Sequence, residues 1–503
     1  MKDKDVTLTI DGLPITVNEG MTILEAARKV NIKIPTLCDH PDLCRRAVCR
    51  ICVVENHGHG KLLASCVQNA EEGMSIVTNN SRLFGIRKTI LSLILANHPH
   101  DDCLACIRST KCELQSLAEL FCIREPTFHI RESTFHNRES VFEENSASEE
   151  AGSLKEISCG ALVRDMEKCV KCGRCVDACQ EIQTIRAINT SGRSGDYGIC
   201  TPYTQPLSES LCVFCGHCAE VCPVGAIYEH DQSGEVWTLL SKETQDMVTD
   251  VTPLDHGFDY EGGKAFLSEK KHDMVIQIAP HAAGDVCAEL GLQEGAATIG
   301  KIITALKQMG FSGVYNAESF EAMSADEEAD ELNERVKSSR HLPMISGCSA
   351  GCAKFVKEFY PDLAEHLSKA KSPEQNFREF IEKNGSQAPK GAEKVFVTVA
   401  PCIAKKYMPT SAKTSRVEEI VLSTRELARL IQMSGIDLCA VDESAFDKPS
   451  ADACGAKAKG KEQDKLLEVH GFANARKVLD SIRSGECGAS HVKIMSCPSG
   501  CNS

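Results

Sequence analysis

The chain reads as a multidomain α/β protein that carries small, cysteine-rich α+β modules in its first half. Three observations predict this. At 503 residues it is too long for a single core, and such a length suggests roughly three or four domains of about 100–200 residues. Nineteen of its 28 cysteines precede residue 223, most of them in short, regular spacings. From about Trp237 the pattern changes to short continuous apolar runs between helical segments, as buried strands in an α/β domain require.

Composition narrows the class. An apolar content of 42% and a charged content of 25% are ordinary globular values. A formal charge of −15 argues against a nucleic-acid partner, which would need a basic face. Met1 to Ile10 alternates like a strand rather than a secretory leader, and no apolar run reaches the ~18 residues of a membrane span. A cytoplasmic location is therefore expected, with no membrane partner. In a reducing compartment so many cysteines favour metal over disulfides.

Residues 1–80 are expected to run strand, turn, strand, helix. Val6 to Ile10 and Ile15 to Val17 flank Asp11-Gly12, a hairpin signal. Thr22-Ile23-Leu24-Glu25 is a capping box opening a helix with the apolar stripe Ile23, Ala26, Ala27 and Val30. Cys38, Cys49, Cys52 and Cys66 follow, spaced C-x10-C-x2-C-x13-C. The close pair is expected to reach one iron and the outer two the other. The set resembles the plant-type β-grasp ferredoxin, with one 2Fe-2S cluster, although its gaps differ from the plant spacing. Cys44 falls outside the pattern and reads as a spare thiol.

Residues 81–125 open on a helix with Leu83, Ile86, Ile90, Leu93 and Ile94 on one face. His98, Cys103, Cys106 and Cys112 come next, with His100 as the rival to His98. One histidine and three cysteines in this order resemble the 4Fe-4S site that follows the β-grasp domain in FeFe hydrogenases and in the large iron-sulfur subunit of respiratory NADH dehydrogenase. A neutral imidazole in place of a thiolate alters cluster charge and hence potential. Residues 126–158 are polar and lack periodicity, and read as a connector.

Residues 159–232 hold Cys169, Cys172, Cys175 and Cys179, then Cys212, Cys215, Cys218 and Cys222 with Pro223. This is the bacterial two-cluster ferredoxin pattern, in which the fourth cysteine of each run serves the other cluster. Cys169, Cys172, Cys175 and Cys222 are thus assigned to one 4Fe-4S cubane, and Cys212, Cys215, Cys218 and Cys179 to a second.

Residues 233–503 form the α/β part. Met274 to Ile278 and Val395 to Val399 read as buried strands, and Ser423-Thr424-Arg425-Glu426 as a capping box whose helix ends near Gly435. No strand-linked G-x-G-x-x-G or Walker loop is present, so flavin and NAD(P) are assigned to partner subunits. Pro343 to Cys348, Ala400 to Lys406, Met495 to Cys501, Lys371 to Gln375 and His470 to Arg476 resemble the FeFe hydrogenase catalytic subunit. The domain order resembles that family too. Its members hold a 4Fe-4S cubane on four cysteines, bridged to a diiron unit, with a proton-relay cysteine and a lysine that binds a cyanide.

This chain departs from that pattern. Cys348 falls on the relay position and Ser349 on the first cubane ligand, a poor soft ligand for iron. Cys352 replaces a tryptophan, Ala400 a methionine and Met408 a proton-path glutamate, while Glu328 and Glu331 match other acids of that path. The segment from Ser450 to Leu467 is short, and the glycine-rich tail is missing after Cys501. The resemblance therefore implies a degenerate FeFe-hydrogenase-like domain that has lost the diiron unit. Cys402, Cys497, Cys501 and Cys348, with Cys352 as alternative to Cys348, would hold a plain 4Fe-4S cluster. Cys122, Cys159, Cys200, Cys287, Cys439, Cys454 and Cys487 belong to no set and read as small buried hydrophobes.

Such a subunit resembles the iron-sulfur component of electron-bifurcating transhydrogenases of the Sporomusa type. That implies an electron-transfer oxidoreductase subunit with one 2Fe-2S and four 4Fe-4S clusters. Its partners would be a flavin-containing NADH/NADPH-oxidising subunit, a small 2Fe-2S subunit and soluble ferredoxin. The alternatives are an active FeFe hydrogenase using Cys348, Lys405, Glu328 and Glu331, and a non-catalytic redox sensor or iron-sulfur assembly factor.

Overall fold

A computed structural model describes residues 5–58, 60–99, 103–124, 155–158, 160–193, 197–240, 272–384, 393–407, 418–447 and 465–498. The chain divides into two compact units: Met1–Ser158 with Val163–Ser210 and His217–Tyr228, and Cys159–Leu162 with Leu211–Gly216 and Glu229–Ser503.

In the first unit, β1 (Asp5–Ile10) and β2 (Leu13–Asn18) pair antiparallel across Asp11 and Gly12. Both turn residues have positive φ, 49° and 81°, as a two-residue hairpin with the strands' own twist demands. Helix α1 (Ile23–Lys29) carries the expected capping box, with Thr22 accepting from Glu25 N and Glu25 accepting from Thr22 N. Strands β3 (Val53–Asn56), β4 (Lys61–Ala64) and β5 (Ser75–Val77) complete a five-stranded sheet in the order β2-β1-β5-β3-β4. Leu8, Ile10, Val17, Ile23, Ala26, Ala27, Val54 and Ile76 form its core.

Helix α2 (Ser81–Leu95), capped by Asn80, lies where expected but presents another face. Leu83, Arg87 and Leu91 are buried, whereas Leu93 is 47% exposed. The cause is a guanidinium that turns inward where hydrophobicity alone would place Ile86 and Ile90. Helix α3 (Glu113–Leu120) follows. Strand β6 (Lys155–Ser158) occupies the last four residues of the expected connector and joins β7 (Leu162–Asp165). Residues 126–154 lie outside the described set. Helix α4 (Arg174–Asp177), the hairpin β8 (Asn189–Ser191) and β9 (Gly198–Cys200), α5 (His217–Glu220) and β10 (Ile227–Glu229) follow; α4 holds Cys175 and α5 holds Cys218, and the other ferredoxin-type cysteines lie outside these elements.

The second unit contains α6 (Ser233–Leu240), β11 (His272–Ile278), α7 (Ala282–Glu289), α8 (Ile299–Met309), β12 (Gly313–Asn316) and α9 (Ala317–Ser338). It continues with β13 (Met344–Gly347), α10 (Ala350–Phe359), α11 (Pro373–Asn384), β14 (Glu393–Val399) and β15 (Glu418–Leu422). Helix α12 (Thr424–Ser434), β16 (Leu466–His470), α13 (Phe472–Arg483) and β17 (His491–Met495) close it. The strands form two parallel sheets, β12-β11-β14-β15 and β13-β17-β16. Both expected apolar runs are neighbours in the first, with Met274 opposite Val395. Helix α12 has the expected capping box and ends on Gly435 at φ 68°.

Candidate functional site

The amino-terminal cysteines lie on the loop after α1, on the loop into β3, and just after β4. Cys38, Cys52 and Cys66 are buried. With Cys49, their sulfurs are joined in two hydrogen-bonded pairs. Cys52 Sγ lies 3.4 Å from Cys66 Sγ, and Cys38 is hydrogen-bonded to Cys49. Arg50, between the close pair, has φ 61°, a left-handed turn that sends the two sulfurs to different neighbours. The Cys49 hydrogen bond pulls Cys38 down to about 6 against burial, and the Cys66 hydrogen bond pulls Cys52 to about 7. Cys49 and Cys66 are pushed up in turn.

A residue not singled out from the sequence supports this loop. Arg87 Nε donates to the Ile51 carbonyl at 3.1 Å, and its Nη2 to the carbonyls of Val53 and Thr78 at 2.5 and 2.8 Å. Burial holds this guanidinium below its ordinary value, while Cys52 acts in the opposite sense.

His98 follows α2 and is half-buried, its N–H donating to Leu95 O at 3.1 Å. His100 lies outside the described residues. Cys112 caps the backbone of α3, and burial pushes its thiol up, with Cys106 and Cys103 adding to the effect. A Cβ on Gly225 would lie 2.7 Å from Cys106 Sγ, so only glycine lets this sulfur in so closely.

Cys169, Cys172, Cys175 and Cys222 line one cavity, with Val170, Ile199, Val224, Ala226 and Ile227 among its apolar walls. Burial is the leading cause that pushes Cys172 up to about 12 and raises Cys169 and Cys175. Four thiols in an apolar pocket ionise only if a cation shares the site, which is what iron supplies. Backbone N–H groups point at sulfurs of both runs: Lys171 at Cys169 (3.4 Å), Ala187 at Cys179 (3.2 Å) and Phe214 at Cys212 (3.4 Å). Cys218 is buried and Cys215 half-buried.

In the second unit, Cys348 follows β13, Cys402 follows β14 and Cys497 follows β17, all at carboxyl ends of parallel strands, where α/β sheets place their ligands. Cys402 is hydrogen-bonded to Cys497, which draws it to about 7. Cys348 is drawn to about 5, first by Cys352 at 3.9 Å and then by Ser496, whose N–H donates to it at 3.3 Å. Cys348 also acts on Cys402. Cys352, on α10, is fully buried and bonded to Ile494 O at 3.4 Å. Ser349 precedes α10 at its N-cap position without a side-chain capping bond, and has its Oγ 3.7 Å from Cys352 Sγ. Cys501 and Met408 lie outside the described residues.

The charged candidates are engaged. Lys405 Nζ lies 3.3 Å from Glu374. Burial opposes its charge, but Glu374 and Glu321 outweigh that and raise it. Glu331 accepts from Arg335 Nη2 at 2.6 Å, Ser368 Oγ at 2.7 Å and Lys369 N at 2.8 Å. Those bonds overcome burial and hold its carboxyl low. Glu328 is raised by burial and stands 4.0 Å from His491 Nε2.

The cysteines outside the ligand sets only partly fit the expectation of burial. Cys287 is buried and bonded to Ala297 O, but Cys122 and Cys439 are exposed, and Cys200 and Cys487 half-buried. Cys122 is at φ 51° in the turn that ends α3, which points it outward. Cys159 and Cys454 lie outside the described residues. Among the described residues, no three histidine, cysteine or acidic side chains converge on a single-ion site. The donor set is almost purely thiol and the pocket that Cys169, Cys172, Cys175 and Cys222 line is apolar, which suits iron-sulfur clusters, whose ligands stand around a bulky core.

Residues 272–461 and 453–503 match the family described as iron only hydrogenase large subunit, C-terminal domain. Residues 3–81 match a 2Fe-2S iron-sulfur cluster binding domain, 87–127 the NADH-ubiquinone oxidoreductase-G iron-sulfur binding region, and 162–226 a 4Fe-4S dicluster domain. The chain is 30% identical to the NADP-reducing hydrogenase subunit HndD of Solidesulfovibrio fructosivorans, over 99% of this chain and 87% of that protein. It is 28% identical to iron hydrogenase 1 of Clostridium pasteurianum, over 90% of this chain and 72% of that one. Similarity to the NADH-ubiquinone oxidoreductase 75 kDa subunit of Reclinomonas americana, at 30% identity, spans 56% of this chain and 37% of the relative.

Proposed function

This chain belongs to the iron-only hydrogenase large-subunit family, and from that premise we propose that it is the electron-transfer subunit of a bifurcating NAD(P) and ferredoxin transhydrogenase. Cys38, Cys49, Cys52 and Cys66 would hold a 2Fe-2S cluster. His98 with Cys103, Cys106 and Cys112, and the two ferredoxin-type sets, would hold three 4Fe-4S clusters. Cys348, Cys402, Cys497 and Cys501 would hold a fourth, without a diiron unit. When bound, such clusters accept and release single electrons, leaving hydride chemistry to flavin on partner subunits.

One observation carries the reading: two of the charged side chains that hydrogen chemistry would need, Glu331 and Lys405, are tied to protein partners. Glu331 is locked by Arg335, Ser368 and Lys369, and Lys405 is ion-paired with Glu374 at 3.3 Å. A carboxylate held low by three donors does not pick up protons near neutral pH. A lysine paired with a carboxylate has less to offer an anionic ligand. Electron transfer needs neither group.

A second reading, an active FeFe hydrogenase, is favoured by the retained Cys348, Lys405 and Glu328 and by the electrostatic reach of Cys348 on Lys405. Assay of the chain purified after expression together with the machinery that matures hydrogenases decides between them. The proposal expects no hydrogen evolution from reduced dye and no NADH oxidation by the isolated chain, with NADH oxidation appearing on co-purification with a flavoprotein. Hydrogen evolution by the chain alone would establish the second reading.

A further inference from the structure

Arg174 lies between Cys172 and Cys175, and its side chain is only 5% exposed. Nη1 and Nη2 donate to the two carboxylate oxygens of Glu113 at 2.6 and 2.8 Å. Nη2 also donates to the Asp39 carbonyl at 2.8 Å, and Nη1 reaches the Val221 carbonyl at 3.5 Å. Each acceptor adjoins a cysteine: Asp39 follows Cys38, Glu113 follows Cys112, and Val221 precedes Cys222. One guanidinium is thus bonded to chain beside three separate cysteine sites.

Neighbouring contacts reinforce this junction. Arg46 makes a bidentate pair with Asp177 at 2.6 and 2.8 Å. Gly173, at φ 81°, lets Arg46 close down, since a Cβ there would meet its Cδ at 2.7 Å. Arg174 Nε is buried with no hydrogen-bond partner among the described residues, and Cys172 and Cys38 both act on the guanidinium. A buried N–H facing no protein acceptor suits a neighbour that is anionic and accepts through sulfur. Burying a guanidinium is costly, and a half-exposed glutamate alone gives little reason to do it.

We propose that Arg174 is a positioning residue that fixes the spacing of the Cys38, Cys112 and Cys169/Cys222 sites, and so sets the rate at which electrons pass among them. The planar fork of arginine satisfies several directional acceptors at once, which a lysine ammonium on a flexible stem does not. The inference rests on these cysteines being cluster ligands and is independent of what the carboxy-terminal site holds.

The test uses the full chain with clusters loaded, comparing wild type with Arg174→Lys, which keeps the charge and loses the fork. Iron content, the magnetic coupling between reduced clusters by electron paramagnetic resonance, and electron redistribution after rapid mixing with a reductant are measured. The expected result is full iron content, weakened coupling and redistribution slowed severalfold. Unchanged coupling and rate at full iron content would overturn the proposal. Should Arg174→Lys lose iron, Glu113→Gln, on a half-exposed side chain, decides in the same way: slowed redistribution supports the role and a wild-type rate refutes it. A wild-type chain lacking the cluster signals altogether would fail the ligand assignment, and the proposal with it.

Discussion

Glu419 lies in β15, where burial first, and the nearby Glu374 second, push its carboxyl up to about 7. Since the folded value exceeds the ordinary 4.5, the unfolded chain holds fewer protons between those two pH values. Stability of the second unit therefore falls as pH rises through that window and stays lower above it, by roughly 3 kcal/mol at most. Glu419→Gln should leave the unfolding midpoint unchanged near pH 5 and raise it near pH 8. A variant with the wild-type pH slope would show that the carboxyl is not the cause.

At this scale the cysteines were legible because their function fixes their spacing. The arginines were not. Arg46, Arg87 and Arg174 look like surface cations in a sequence, since nothing in a linear pattern distinguishes a solvated guanidinium from one that collects distant backbone carbonyls. The same holds for Ser496, whose contact with Cys348 spans strands far apart in the chain.

Among elements, α2 shows what such a residue does. Arg87 joins the helix to the loop that carries Cys52 and to the strand end at Thr78. Arg87→Met would strand three buried carbonyls, at a cost of roughly 3 kcal/mol or more. Faster amide exchange in β3 and faster loss of amino-terminal iron to a chelator are the expected signs; unchanged exchange would contradict the role. The β1–β2 hairpin, α1 and α12 were readable because turn and cap chemistry is local. The face of α2 was not, because its choice depends on tertiary acceptors. The parallel sheet β13-β17-β16 makes a further prediction, since it sets Cys348 beside Ser496, the neighbour of Cys497, while Cys352 bonds Ile494 O. Cys348→Ala should lose close to one cluster's worth of iron, and Cys352→Ala little. The reverse pattern would assign the ligand to Cys352.

For the whole molecule, the order of modules was legible from cysteine spacing and a change in apolar pattern, and family relationships agree with it. What spacing could not show is how the charged residues of the second unit are engaged, because ion pairs such as Glu331–Arg335 and Lys405–Glu374 depend on the folded surroundings. Those pairs turn a resemblance to a hydrogen-activating enzyme into an argument for an electron carrier. Infrared spectroscopy of the protein, expressed together with the machinery that matures hydrogenases, tests that argument most directly. The account predicts no carbonyl or cyanide bands alongside a full complement of cluster iron; carbonyl and cyanide bands would contradict it.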